Sequence, residues 1–348
     1  MGWGGCQRNS GVRVVGVVCD VVFYNRQMRA VLGACVLLCL GMPAWGQSRS
    51  VAITVDDLPC ANCAPINPDG TAQHGMLMST NERLIAGLVA AKIPVTGLVV
   101  TKTADQAGGP DEPALRLWLD AGFDLGNHTY SHQDFDELTV EQMEAEIMRA
   151  DATLRPLLAA NGRTLKFFRF PYNHSGDTQP KHDAVASFLK DHGYEVATCT
   201  IDTTDYLFAQ AYARALGASN AAMAARIRKE YLAYSATEID FYAALNRRVL
   251  GYEPPQVMLI HDSLLNADTI GDLLALFRAR GYRFVSLAEA QSDPAYAAPD
   301  TYATKYGPMW GYRWAEERRL GPLKMHEDDP PDWIMNYASG KTVVEPAK

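Results

Sequence analysis

The chain has 348 residues, 48% hydrophobic and 21% charged, which excludes a disordered or fibrous chain and suffices for one large domain or two small ones. Its formal charge is −8, and the first 46 residues hold four Arg against one Asp, so the remainder stands near −11. Such an acidic body argues against nucleic acid or an anionic membrane surface as the main partner and leaves neutral or cationic substrates open.

The N-terminal segment separates from the rest. From Met28 a basic residue precedes an apolar run that ends at Ala44-Trp45-Gly46, the layout of a secretory signal. The run is too short for a good bilayer span, so no stable membrane span is expected once the signal is cleaved. Residues 1–46 are read as a leader with Met28 as its true start, and the mature chain as exported, periplasmic or secreted. Four of the seven cysteines lie in this leader. In an oxidising compartment Cys60 and Cys63 can close a small loop, which leaves Cys199 free on an apolar strand.

From residue 51 apolar runs alternate with amphipathic stretches. Strand-like runs fall at 51–55, 95–100, 123–126, 165–170, 195–201, 257–260 and 282–287. Ser79 with Glu82 and Thr139 with Gln142 have capping-box spacing ahead of helical patterns. Seven strand–helix alternations predict a parallel α/β architecture, and with no glycine-rich phosphate loop a barrel is favoured over an open doubly wound sheet. The main domain is placed at 47–290, with a helical insertion at 207–250 expected to form two helices. Residues 291–348, rich in Pro, Tyr and Trp, read as an extension packed on that domain. Trp310 and Trp314 are assigned to its packing, and His174 to an exposed rim loop. The remaining histidines, His182 among them, are assigned to solvated or helix-end positions.

Polar residues collect at strand ends. Asp56 and Asp57 end the first run, His128 the third, Arg169 the fourth, Asp202 and Asp205 the fifth and His261 the sixth. In α/β barrels the C-terminal strand ends form the active-site face. His128 and His132 are four apart, so a helical turn there would bring both rings to one metal, with Asp57 as third ligand and positions left open for water and substrate. Neighbouring residues at a strand end point to different sides, so Asp56 is free to take a proton while Asp57 ligates. His261 can protonate a leaving group as general acid. Arg169 would hold the base carboxylate, and an acidic residue after the fifth run would keep His261 protonated.

Five motifs in order then resemble the polysaccharide deacetylases of the nodulation-protein-B type, carbohydrate esterase family four. They are Thr54-Val55-Asp56-Asp57, His128-Thr129-Tyr130-Ser131-His132, Arg169-Phe170-Pro171-Tyr172, Asp202-Thr203-Thr204-Asp205-Tyr206 and Leu259-Ile260-His261. The match spans roughly residues 51–290. The resemblance implies a distorted or incomplete (β/α) barrel of about seven parallel strands. It implies Asp56 as catalytic base, Arg169 as its partner, and Asp57, His128 and His132 as ligands of a divalent metal, zinc with cobalt or nickel as alternatives. It further implies the Tyr172 backbone N–H as oxyanion donor and His261 as general acid tuned by Asp205. Val55 and Tyr206 stand where the family usually has aromatic residues, Trp in the latter case. The expected reaction is removal of acetyl groups from a glycan, an N-acetyl amide of a peptidoglycan- or chitin-like polymer first. O-acetyl esterase activity and hydrolysis of a small non-peptide amide are the alternatives. Two further readings are a glycan-binding relic and a non-haem Fe(II) oxygenase, to which the paired aspartates and His261 are foreign.

Overall fold

A computed structural model describes residues 49–61, 74–107 and 113–341. The leader at 1–46 with Met28, Cys63 and residues 342–348 of the extension lie outside them. Cys60 takes part in a disulfide, and Cys199 is a buried free thiol.

The elements run β1 (Ser50–Leu58), α1 (His74–Ala91), β2 (Val95–Val99), α2 (Thr101–Ala107), α3 (Pro113–Asp120), β3 (Asp124–Asn127), α4 (Val140–Ala160), β4 (Phe167–Phe168), α5 (Gln179–Asp191), β5 (Glu195–Val196) and β6 (Ile201–Asp202). There follow α6 (Asp205–Gly217), α7 (Ala221–Leu250), β7 (Gln256–His261), α8 (Leu264–Ala279), β8 (Arg283–Phe284), α9 (Leu287–Ala290), α10 (Trp310–Glu317) and α11 (Asp332–Ala338). Seven parallel strands follow the order β5-β4-β3-β2-β1-β7-β6, and β8 pairs with the start of β1. This is a half-barrel with surrounding helices.

Alternation along β1 does the first part of the positioning. Val51, Ile53 and Val55 pack with Leu84 and Leu88 of α1 in the main core, while Ala52 joins Leu98, Phe167, Ala197 and Val257 in a separate inner cluster. With a period of two, Thr54 and Asp56 share the inner face with Ala52. Parallel register sets Asp56 level with His261 on β7, and Val99 level with Asn127, the residue before His128. The chemical groups therefore meet at one end of the sheet.

Several expected elements come out differently. The run at 165–170 forms a strand only over Phe167–Phe168, and the run at 195–201 splits into β5 and β6. Residues 197–200 cross the seam between the two ends of the sheet, where a neighbouring strand is lacking and other groups must satisfy the backbone. The Gln291 Oε1 accepts from the Thr198 N–H at 2.8 Å, the Trp310 N–H donates to the Cys199 carbonyl at 2.8 Å, and Arg169 donates to the Ala197 and Thr198 carbonyls. The capping box at Thr139–Gln142 forms, but Ser79 lies inside α1, which starts five residues earlier at His74.

The insertion forms two helices, α6 and α7, which build a second small core from Phe208, Tyr231, Leu265 and Ile334. Trp310 and Trp314 are buried in the main core under the extension. His182, expected in a solvated or helix-end position, lies in the first turn of α5 but is buried, its Nε2 2.9 Å from the Asp300 carbonyl of the extension.

Candidate active site

Asp57, His128 and His132 converge at the sheet's C-terminal end, with one ligand atom of each within 4.8 Å of the others. No helix carries the two histidines. Thr129 and His132 both have positive φ (70° and 57°), and the loop is held by the Asn127 Oδ1 accepting from the Thr129 N–H and the Thr129 Oγ1 accepting from the His132 N–H. The rings stand edge to face, their centroids 4.9 Å apart. Asp57 also has positive φ, 65°, which breaks the strand alternation, and its carboxylate lines the same cavity as that of Asp56.

The donor set fits a cation. The His128 Nδ1 is 2.9 Å from the Arg169 carbonyl, which can only accept, so that nitrogen carries the proton and Nε2 presents a lone pair. Burial, with His132 beside it, pulls the His128 pKa down to about 3, so the ring stays neutral. Its Nε2 faces the Asp57 Oδ1 at 3.5 Å, and the His132 Nε2 lies 3.3 Å from the same oxygen. That oxygen is buried without a hydrogen-bond partner. Unmet acceptors gathered on one point are what a divalent ion satisfies. A second group, Asp134, Asp136 and His174, is also close-set, but there the imidazole bonds Asp134 at 2.8 Å. His174 is thus half-buried and paired, not an exposed rim residue.

Asp56 is only 2% exposed, and the Arg169 guanidinium donates to its Oδ1 at 2.6 Å and to the Thr54 Oγ1 at 2.9 Å. Burial pushes the Asp56 carboxyl above its usual range despite the opposing pull of Arg169. Thr54 in turn donates to the Met258 carbonyl at 2.7 Å. Arg169 therefore joins base, inner strand face and seam, a role for Thr54 that only its place in the first motif hinted at.

Across the cavity the His261 Nδ1 lies 2.7 Å from the Asp205 Oδ1, and the His261 N–H donates to Asp205 Oδ2 at 2.8 Å. Burial opposes the charge on His261, yet Asp205, with Asp57 and Asp56 farther off, raises its pKa to about 10. Burial likewise works against the Asp205 charge, and His261 outweighs it, so the carboxyl sits below its usual range. Asp202 does not contact His261: its Oδ1 caps the Thr204 N–H at 2.8 Å, and burial together with Asp205 pushes its pKa up to about 6.

Asp56, Asp57, His128, His132, Asp202 and His261 line a cavity of about 520 Å³ with Tyr172 and Tyr206 on its walls. Tyr172 has positive φ, 56°, and its ring lies 4.8 Å from His132. Gly307 and Met309 of the extension also line it, unforeseen because no motif marks them. Gly307 is required there: a Cβ would stand 1.9 Å from the Tyr172 carbonyl oxygen. No residue of the insertion at 207–250 lines the cavity.

The half-barrel thus brings a buried carboxylate paired with Arg169, an imidazole paired with Asp205 and an Asp57–His128–His132 cluster to one cavity. Residues 46–200 match the profile of the polysaccharide deacetylase family. A chitin deacetylase from Arthroderma benhamiae is 33% identical over 85 residues, which cover 24% of this chain and only 21% of the fungal protein. Among solved structures, the family 4 carbohydrate esterase from Streptomyces lividans is 21% identical, with 70% of this chain and 95% of that chain covered and a TM-score of 0.43. The peptidoglycan deacetylase PdaC from Bacillus subtilis is 18% identical, with 80% and 99% covered and a TM-score of 0.43. A family 4 pseudoenzyme from Bacillus anthracis is 13% identical, with 70% and 66% covered and a TM-score of 0.45.

Proposed function

We propose that the chain is an exported, metal-dependent hydrolase that removes acetyl groups from a polysaccharide or oligosaccharide, with N-deacetylation of a chitin- or peptidoglycan-like chain as its reaction. The observation that carries this reading is the pairing of a close-set Asp57–His128–His132 cluster with a buried base and a paired acid around one cavity. A divalent ion, zinc first and cobalt or nickel as alternatives, would be held by those three residues and would polarise an acyl carbonyl and acidify water.

The chain's own residues account for the proton movements. Asp56 takes the proton of the attacking water, and its bond to Arg169 keeps the Oδ1 occupied so that Oδ2 faces the cavity side, 3.8 Å from the His128 Nε2. The Tyr172 backbone N–H serves as donor to the oxyanion. His261, held protonated by Asp205, gives its proton to the departing nitrogen so that a neutral amine leaves. Tyr206, 47% exposed and with its ring 6.2 Å from His261, offers a wall for a sugar ring. Hydrolysis of O-acetyl groups or a small amide would use the same residues.

The test is acetate release from N-acetylglucosamine oligomers, O-acetylated xylan and small acetamides, with and without chelation, in the parent and in Asp56→Asn. The reading expects N-acetyl oligomers to be turned over only by the metal-loaded parent. Equal turnover after chelation and in Asp56→Asn would sink it.

A further inference from the structure

The insertion helix α7 lines none of the cavity, yet it reaches the proton-donating side through a chain of buried hydrogen bonds. The Tyr231 hydroxyl, on α7, meets the Asn266 Oδ1 at 2.9 Å. The Asn266 Nδ2 meets the Asp205 Oδ2 at 2.5 Å and the His261 carbonyl at 2.8 Å. Asp205 then holds His261 at both its backbone N–H and its Nδ1. Chemistry fixes every direction: a carboxylate and a carbonyl only accept, so Asn266 must turn its NH₂ toward them, and its remaining oxygen must accept from Tyr231.

We propose that Tyr231 and Asn266 are positioning residues for the general acid, so that the insertion orients His261 through Tyr231–Asn266–Asp205 without touching substrate. The inference rests on the proposed role of His261. Tyr231 and Asn266 are both fully buried, so neither bond competes with water. Asn266 is fixed further by its place in the first turn of α8, where the Ser263 hydroxyl caps its N–H at 3.2 Å. Without the Tyr231 hydroxyl the Asn266 oxygen is buried without its donor, and the amide loses one of the three side-chain bonds that fix its place. Its NH₂ end still faces the Asp205 carboxylate and the His261 carbonyl, but with the oxygen end untethered the amide is held less firmly against Asp205. Asp205 would keep its charge but lose a fixed orientation, and the imidazole would wander with it.

Full-length Tyr231→Phe and Asn266→Asp are the test variants, with Tyr212→Phe as control, since the Tyr212 hydroxyl is spent on Asp268 at 2.6 Å. Phe retains the ring contact with Phe208, whose centroid lies 5.5 Å from that of Tyr231, and Asp retains the size of Asn. Two readouts are needed. On a turned-over acetylated substrate, Tyr231→Phe should lower kcat about three- to tenfold, the scale of one neutral hydrogen bond, with KM unchanged. By NMR on histidine-labelled protein, the His261 Nδ1–H signal, identified by its loss in His261→Gln, should exchange with solvent faster by a similar factor. Asn266→Asp should exceed Tyr231→Phe in both. If Tyr231→Phe and Asn266→Asp match Tyr212→Phe in the NMR readout, the proposal is overturned. The NMR arm needs no substrate, so a parent that turns over no acetylated compound counts against the proposed function and leaves the relay to be judged by the proton signal.

Discussion

The two banks of the cavity are built on opposite principles. On the Asp57–His128–His132 bank, acceptors face acceptors, one carboxylate oxygen is buried without a partner, and Asp57, Thr129 and His132 all hold positive φ. Each such backbone costs on the order of 1–3 kcal/mol and persists only where the surroundings impose it. On the Asp205–His261 bank the charges satisfy each other, and the supporting residues sit in helix first turns at α6 and α8. One bank leaves a buried acceptor without a partner beside two imidazoles, and the other pairs its charges internally.

The sharpest way to break this contrast is to supply or remove the cation. Chelation should reduce acetate release to background, and reloading with zinc should restore it. Binding should also stabilise the fold, by about 4 kcal/mol at a free metal concentration a thousand times Kd. Asp57→Ala should abolish both the thermal shift and the activity, whereas His261→Ala should keep the shift. A parent whose melting temperature ignores zinc would remove the distinction between the banks.

Next in size are the proton-transfer groups. Asp56→Asn should keep metal binding and lose about 10²–10⁴-fold in kcat, with His261→Ala in the same range. Arg169→Met acts on stability as well as rate. It strips Asp56 of its buried partner and the seam carbonyls of Ala197 and Thr198 of their donors, so urea unfolding should report a loss of about 3–5 kcal/mol. A loss below about 1 kcal/mol would mean that the seam is held by Gln291 and Trp310 alone.

Much of this was legible in the sequence, for identifiable reasons. Strand β1 declares itself because its alternation and its terminal Asp pair are local. The convergence of Asp56, Arg169 and His261 follows from parallel strands, which bring their C-terminal ends level whatever the helices between them do. What stayed hidden depends on contacts distant in sequence. The strand run at 195–201 breaks where it crosses between the two ends of the sheet, and Gln291 and Trp310 from the extension meet the backbone groups left there. The histidine loop looks helical by spacing, yet Asn127 and Thr129 cap its backbone in a form that spacing does not encode. Tyr231 and Asn266 gave no signal as site residues: a Tyr in an Ala-rich helix reads as core, and Asn266 reads only as the third residue after the capping Ser263.

The smallest expected effect tests the finished bank by stability across pH. The His261 pKa is raised from 6.5 to about 10, so its pairing contributes fully below pH 6.5 and fades as pH climbs from there through about 10. The Asp205 pKa is lowered from 3.8, so its contribution is present above that value and is lost as pH falls through the depressed one. The pair should therefore stabilise the fold most between about pH 4 and 6.5. In Asp205→Asn that plateau should vanish. The melting-temperature gap between parent and variant, measured on metal-free protein, should be widest near pH 5–6 and close steadily toward pH 10. The alkaline limb of kcat should move the same way, downward in the variant toward the ordinary histidine range. A gap that stays constant up to pH 10 would mean that Asp205 orients the imidazole without holding its proton, and the two banks would differ in geometry only.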